Sequence, residues 1–258
     1  MTVVTGPAPV YFDPDLVNPS PNGLYAATSW ADDGEPNRWL TAGVVIRPHN
    51  YGGEAASGVW HGTWNTPPGD GSTKTGVRPD MFPDAFDPIV VWAEDDCDPT
   101  LASQAEVLKR AQQNLRLLEQ IDVEKDFSTR LLADAGTIAG VDSIVAAVSQ
   151  LEAMIGDTNT IGQIHASTEW AAYAAQAQLI VRTGNVLRTP LGHLWVFGGG
   201  YRTGLSDVLV ATSPTYGWRG APAVRTATDF ETSGFHAIAE RALVVGYEKA
   251  IHAVQITP

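Results

Sequence analysis

One long helical pattern dominates the middle of this chain, and the segment before it has no regular period. The pattern runs from Asp98 to Gly136, whereas twelve of the 17 prolines and five of the eight tryptophans precede Cys97. Proline fixes the backbone and removes a hydrogen-bond donor, so the first segment cannot build a sheet or helix core of its own. So much aromatic surface is rarely left in water. We therefore expect the first segment to pack on the rest of the chain or on other copies of it.

Composition and charge exclude several classes of protein. With 258 residues, of which 44% are hydrophobic, the chain can bury one sizeable core or two small ones. A net charge of -13 argues against a surface that grips nucleic acid phosphates, and a single cysteine excludes an intramolecular disulfide. The sequence has neither the features of a signal peptide nor a stretch approaching the roughly 20 apolar residues of a membrane span. It predicts a soluble protein made in the cytosol.

The helical pattern predicts one long helix with a single apolar stripe. Asp98 is the expected N-cap, and Pro99 suits the first helical position. Apolar residues then recur at three- and four-residue steps, namely Leu101, Ala105, Leu108, Ala111, Leu115 and Leu118. A coiled coil is the alternative, but only about three heptads are clean and no flanking charge pattern accompanies them.

The proline-rich segment predicts an extended arm followed by strands and a loop. Residues 1–39 carry five prolines within the first 21 positions, which favours extended or turn geometry. Strands are expected over residues 40–48, 57–64 and 87–94, from their β-branched and aromatic content. The stretch TPPGDGSTKTGVRPD between the last two is a loop on every turn criterion.

The segment after the helix predicts a mixed α and β domain. Asp142 is a candidate N-cap, the run from Ile161 to Ser167 suggests a buried strand, and an alanine-rich helix is expected from Thr168 to Val181. A turn follows at Gly184-Asn185. The remaining predicted strands are Leu191 to Phe197, Asp207 to Ala211, and one closing strand over Arg241 to Ile256.

The motifs of common enzymes are absent or have the wrong spacing. GGGYRTG, starting at Gly198, has Thr203 where GxGxxG needs glycine, and no helix is expected after it. GDGSTKTG, starting at Gly69, has the wrong spacing to Lys74 for a phosphate loop. No GxSxG, HExxH or paired-cysteine motif occurs. The sequence therefore predicts no enzyme, no cofactor and no metal.

Individual polar residues support the same interpretation. His165 lies in a predicted strand and so shares no helix face with Glu169, whereas His236 and Glu240 are more simply a surface contact than a metal site. The acidic run from Glu94 to Asp98 is more simply a solvated turn than a cation site. Its charges also oppose a reactive thiolate at Cys97.

The order of these segments resembles the Hong Kong 97-type major capsid protein of tailed phages. An arm, an extended two-stranded loop, a long spine helix, a mixed α/β domain and a closing strand follow one another in both. The stretch IHASTEWAAYAAQAQLIVRTGNVLRTPLGHLWVFGGGY (164–201) is similar to the actinobacteriophage branch. So are LVATSPTYGWRG and AERALVVGYEKAIHAVQI. The likeness begins at about Trp39, and its motifs are packing motifs.

The resemblance implies an α+β fold with five parts. These are an N-terminal arm (1–39), an extended β-hairpin loop (40–97), the spine helix of a peripheral domain (98–136), an axial domain (137–235) and a closing strand of the peripheral domain (236–258). The segments without a core of their own would lie across neighbouring subunits. Predicted subunit-interface residues are Trp30, Trp39, Trp60, Trp64, Lys74 and Trp92.

The resemblance also implies what the protein does and meets. Hexamers and pentamers of the chain would form an icosahedral virion shell, assembled in the host cytoplasm, around DNA that is held without specific binding and without a membrane. A separate scaffolding protein, a portal and decoration proteins are possible partners, since no helical, charged scaffolding segment precedes the arm. Some relatives join subunits by an isopeptide bond from a loop lysine to a neighbour's asparagine. Lys74 stands where the donor would be, but no asparagine follows Asn185, so a non-covalent shell is expected.

Two other classes stay open from the sequence. An encapsulin-type nanocompartment shell, or a minor virion structural protein, would have a related fold and different contents. A hydrolase that uses His165 or His236 is the remote alternative.

Overall fold

A computed structural model describes residues 10–31, 38–62, 65, 67 and 73–257 of the chain. The helices are α1 (Leu24–Ala27), α2 (Arg38–Ala42), α3 (Leu101–Ala135), α4 (Ile144–Thr158), α5 (Trp170–Gln176) and α6 (Tyr201–Gly204), with one 3-10 turn at Glu54–Ala56. The first six strands are β1 (Ser29–Trp30), β2 (Ile89–Cys97), β3 (Ile138–Val141), β4 (Gln163–Ser167), β5 (Val181–Thr183) and β6 (Val186–Arg188). The last six are β7 (Leu194–Gly198), β8 (Val208–Thr212), β9 (Thr215–Arg219), β10 (Ala223–Asp229), β11 (Gly234–Tyr247) and β12 (Ala250–Ile256). The α+β class is confirmed.

The first sheet has five strands and is organised around β11. Strand β2 pairs antiparallel with β11 along one side, while β10 and then β9 pair with it along the other. Two-residue β1 adds in parallel to β9. Helix α3 packs on this sheet and, with α2 and the base of the loop, encloses the first hydrophobic core.

The second sheet has seven strands in the order β3-β12-β8-β4-β7-β6-β5. Its central strands β4 and β8 are buried at every position. The sequence of β8, VLVAT, is accordingly almost entirely apolar. The sequence of β4, QIHAS, includes polar residues, and Gln163 and His165 are hydrogen-bonded inside the protein. Helix α4 covers it and supplies Val148, Leu151 and Ile155 to a second core. The predicted strand from Ile161 and the turn at Gly184-Asn185 are confirmed, as β4 and as the β5–β6 hairpin.

Helix α3 has 35 residues, which at 1.5 Å per residue makes it about 50 Å long. Its buried face is a row at steps of four: Val107, Ala111, Leu115, Glu119, Val123, Phe127 and Leu131. Four residues advance about 400° around the axis, so this row turns by about 240° along the helix. The first half therefore faces the five-stranded sheet, whereas the second half also contacts α6, β8 and β12.

The fixed stripe predicted for this helix is wrong at its ends. Leu101 is 84% exposed and Leu118 is half exposed, because the buried row rotates away from them. The helix begins two residues later than expected, since the Thr100 hydroxyl accepts from Ser103 N and makes Thr100 the N-cap. Asp98 instead accepts from Thr100 N at 3.0 Å.

Other predicted boundaries also move. Ser143, not Asp142, caps α4 through Ala146 N. The alanine-rich helix ends at Gln176, and Gln178 then takes a positive φ. A four-residue helix, α6, does follow the glycine triplet, contrary to expectation.

The loop expected to hold two strands is mostly irregular where the structure describes it. Residues 38–42 form α2, and from the first predicted strand only Val44 pairs, in an antiparallel bridge with Phe86. Residues 57–62 form no strand, although Val77 N donates to Ala55 O at 3.1 Å and so keeps the two sides of the loop adjacent. The third strand is confirmed as β2 and is longer than predicted.

The single closing strand over Arg241 to Ile256 is wrong. The chain turns at Glu248 and Lys249, whose N–H groups both donate to Ser213 Oγ. Strand β11 before the turn belongs to the five-stranded sheet, and β12 after it belongs to the seven-stranded sheet. Strands β9 and β10, inside the predicted axial segment, also belong to the five-stranded sheet.

Candidate assembly surfaces

The glycine motif from Gly198 to Gly204 is a packing surface for α3. A Cβ atom on Gly200 would lie 2.1 Å from Ile121 O, and one on Gly204 would lie 2.0 Å from Ser128 Oγ. Only glycine therefore lets α6 approach the spine helix this closely. The rejection of a phosphate-binding role for this motif fits that packing.

Glu124 is the buried group that joins three parts of the chain. Its carboxylate accepts from Leu24 N at 2.9 Å, from Gly200 N at 2.8 Å and from Gln120 Nε2 at 3.0 Å. The arm and the glycine turn are thereby fixed to the spine helix. Burial raises the pKa of Glu124, although these three hydrogen bonds favour the charged form.

The arm is held on the spine helix by polar contacts. Gln113 Nε2 donates to Val17 O at 2.7 Å, and Gln120 Nε2 donates to Asn22 O at 2.8 Å. Further along, Leu24 is fully buried and Gln163 Nε2 donates to Ala27 O at 2.9 Å. The segment from Leu24 to Trp30 thus bridges the two sheets.

The two histidines considered for catalysis, His165 and His236, make structural contacts. His165 is fully buried between the Tyr201 hydroxyl and Thr212 Oγ1, each at 2.9 Å, and burial lowers its pKa to about 3. The Thr212 hydroxyl donates to Ser213 O, so His165 carries its proton on Nε2. This is a satisfied core histidine.

His236 pairs across the sheet with Glu94, not with Glu240. Its Nδ1 lies 3.0 Å from Glu94 Oε1, and this hydrogen bond raises the pKa of His236. Glu240 pairs with Arg225 instead. Of the acidic residues nearby, Asp95 binds Arg110 at 2.8 Å.

Cys97 and the acidic residues around it form no metal cluster. In the described part of the chain, no group of three His, Cys, Asp or Glu side chains could hold an ion. Partial burial and the charge of Asp98 raise the pKa of the Cys97 thiol, which agrees with the expected lack of reactivity. No helix in the described residues is long and apolar enough to cross a membrane.

Two of the tryptophans predicted at subunit interfaces pack within their own chain. Trp39 is 7% exposed in the first core, which leaves little of it for a neighbour. Trp30 packs edge-on against Tyr25, with ring centroids 5.0 Å apart, and the Arg219 guanidinium lies 4.4 Å from its ring. Its interface role stays a prediction.

Three other predicted interface residues, Trp60, Lys74 and Trp92, lie on the outside of the chain. Trp60 is 41% exposed, and the exposed Lys74 places Nζ 4.8 Å from the centroid of its ring. Trp92 is 63% exposed on β2, on the face of the sheet opposite α3, beside Val90. Trp64 lies outside the described residues.

Sequence reasoning did not single out the most exposed apolar residues. On the arm, Val10, Tyr11 and Phe12 are 94%, 89% and 83% exposed. Val59 and Phe82 are similarly exposed on the loop. Three apolar residues in succession on a proline-rich arm, with no period to bury them, were the available signal.

Comparison with solved structures finds the same architecture in chains from phages and from a capsid. The chain is similar to one from the capsid of a native GTA particle, with a TM-score of 0.58 at 8% identity over 99% of this chain and 96% of that chain. It is also similar to structures from Mycobacterium phage Che8 and Microbacterium phage Oxtober96. Each of these has a TM-score of 0.50 at 12% identity, over 99% of this chain and 98% and 96% of theirs.

No protein-family model and no curated protein matches the sequence. At such low identity the structural likeness defines the class of fold, and that class is the Hong Kong 97-type capsid fold. The fold expected from the sequence resemblance is confirmed.

Proposed function

We propose that this protein is the major capsid protein of a tailed phage. Copies of the chain associate into hexamers and pentamers, and these form the icosahedral head shell around the double-stranded DNA genome. Its role is structural, not enzymatic. The observation that carries the proposal is the fold, which matches a capsid chain along nearly the whole length of both chains.

The exposed apolar residues support the same role. They are concentrated on the arm around Tyr11, on the loop around Trp60 and Phe82, and on the open sheet face around Trp92. Both hydrophobic cores are closed without them. Apolar surface of this kind on a soluble chain marks contacts with other molecules, and in a shell those molecules are further copies.

Each of the two sheets corresponds to one of the proposed domains. The five-stranded sheet with α3 forms the peripheral domain, and the seven-stranded sheet with α4, α5 and α6 forms the axial domain around the symmetry axes. The arm and the loop extend from this body towards neighbouring subunits. A separate scaffolding protein, a portal and decoration proteins complete the particle.

The charge of the chain suits a container for DNA. A net charge of -13 on each of many copies produces a field that repels phosphates and keeps packaged DNA from adhering to the wall. The DNA is therefore enclosed without specific binding. The mature shell is located in the virion.

Negative-stain microscopy and sedimentation velocity of the purified chain test the proposal. At tens of micromolar we expect closed shells or ring-shaped capsomers. Phe12→Asp should reduce assembly, whereas Phe12→Tyr, which keeps the aromatic ring, should not. A wild-type chain that sediments only as a stable monomer would contradict the proposed function.

A further inference from the structure

A groove of about 420 Å³ lies between α3 and the five-stranded sheet, beside the arm. One wall is the spine helix at Arg116 and Glu119, and the other is formed by Arg219 on β9 and Arg241 on β11. Tyr25 of the arm completes it. The groove thus collects three arginines and one glutamate from three separate elements.

The single carboxylate of the groove is already fully engaged. Glu119 binds Arg241 Nη1 through both oxygens, at 3.0 and 3.1 Å, and accepts from the Tyr25 hydroxyl at 2.7 Å. Arg241 still has a buried Nε with no hydrogen-bond partner among the described residues. A buried donor without an acceptor is uncommon in a finished structure.

The two other arginines have no acidic partner in the described part of the chain. Arg116 donates to Asn18 Oδ1, and Arg219 lies over the ring of Trp30. Both are exposed, so their guanidinium groups can be reached from solvent. Three arginines against one glutamate leave an excess of two positive charges, in a chain whose net charge is -13.

We propose that this groove binds an acidic side chain from a second copy of the chain. The guanidinium fork matches a carboxylate in two parallel hydrogen bonds, and Arg116 and Arg219 are both available for them. Each copy carries 29 Asp and Glu residues, so an assembly of copies offers many carboxylates to this groove. The inference rests on the proposed function, since it needs neighbouring copies.

The contact can be captured chemically through Arg116→Lys. A carbodiimide activates a carboxylate and then leaves as its urea when the lysine amine attacks, so an amide forms between groups already paired. The wild-type chain has only Lys74, Lys109, Lys125 and Lys249, and none of these lines the groove. Assembled Arg116→Lys particles should give a new covalent dimer in denaturing gels. Mass spectrometry should place position 116 in a peptide joined to an Asp or Glu of another chain.

Arg182→Lys is the matched control, because Arg182 is exposed on β5 in the other sheet. It should add no dimer above the wild-type background. Mixed labelled and unlabelled subunits separate links between chains from links within one chain. Shells in which position 116 joins only its own chain, or nothing, overturn the groove proposal and leave the proposed function intact.

Arg219→Gln gives a second and independent readout. We expect it to raise the subunit concentration needed for assembly about tenfold, whereas Arg182→Gln leaves it unchanged. Fluorescence anisotropy with a single-stranded oligonucleotide tests the rival occupant. If wild-type subunits bind it and Arg219→Gln subunits do not, the groove takes nucleic acid phosphate and the proposal is wrong. A wild-type chain that never assembles is a failure of the proposed function itself, and the groove proposal falls with it.

Discussion

Replacing Glu124 by alanine should loosen the arm and the glycine turn together. The change removes the acceptor from the N–H groups of Leu24 and Gly200, both buried. A buried donor left without a partner costs about 1–3 kcal/mol, so the two together cost about 2–6 kcal/mol of unfolding free energy. For a chain of this size that is a fall in Tm of about 5–20 °C. Thermal unfolding followed by circular dichroism measures it.

Glu106→Ala is the control for the Glu124 prediction, because Glu106 is exposed on the same helix. Its ion pair with Arg110 is long, at 4.0 Å, and therefore weak. It should change the unfolding free energy by less than about 0.5 kcal/mol. Glu124→Gln should fall between the two, since an amide offers one oxygen to two opposed donors. Equal stability of wild type and Glu124→Ala would refute the role of this carboxylate.

The stability contributed by Glu124 should also depend on pH, in a direction set by its pKa shift. Burial raises the pKa of Glu124 above its ordinary value of 4.5, so between these values the native state binds more protons than the unfolded state. Stability contributed by this group is therefore present at lower pH and is lost as pH rises through the raised pKa. The advantage of wild type over Glu124→Gln should shrink as pH increases from about 4.5. An advantage that grows over this range would contradict the assignment.

Three further predictions concern the spine and the outer surface. Leu115→Asp places an unpaired charge in the buried row, at a cost of several kcal/mol, and should abolish soluble expression. Gln112→Asp, at an exposed position of the same helix, should express normally. Equal yields of the two variants would refute the buried face. Trp60→Ala or Trp92→Ala should weaken subunit contacts by roughly 2 kcal/mol. Negative-stain images should then show no closed shells, while the circular dichroism spectrum of the subunit stays native. Unfolding of the subunit would instead assign the ring to its core. Shells boiled in detergent should give one band near 27.5 kDa, and a covalent ladder that disappears in Lys74→Ala would show a cross-link.

The spine helix was predictable as an element, but its buried face was predicted only in part, at Ala111 and Leu115. Apolar spacing over more than 30 residues is a strong helical signal whatever the helix packs on. The buried row, however, contains Glu119, and Glu124 lies beside it, at positions where a pattern search expects apolar residues. Their partners come from distant segments, Arg241 in one case and Leu24 in the other, so local sequence gives no sign of them.

The two strands predicted in the loop do not form in the described part of the chain, for a different physical reason. The β-branched run of Val44, Val45 and Ile46 predicts a strand. A strand, however, needs a partner that can donate hydrogen bonds. The facing side of the loop carries Pro79, Pro83 and Pro88, and proline cannot donate. Pairing is therefore reduced to the one bridge between Val44 and Phe86.

The loop can nevertheless present side chains in a defined direction because its base is part of the core. Phe86 packs edge-on against Tyr247, with ring centroids 5.1 Å apart, and Arg130 Nη1 donates to Ala85 O at 3.1 Å. The turn between the two sheets holds the loop from the other side, where Lys249 pairs with Glu54 at 2.9 Å. Tryptophan in this segment thus has two physical roles. Close to the base, Trp39 is buried and determines where the loop begins. Further out, Trp60 stays exposed on a loop whose position is already fixed. A contact made from a fixed position loses less conformational entropy on association than one made from an unanchored chain. Substitutions at the base should therefore reduce folding, while substitutions further out should reduce assembly alone.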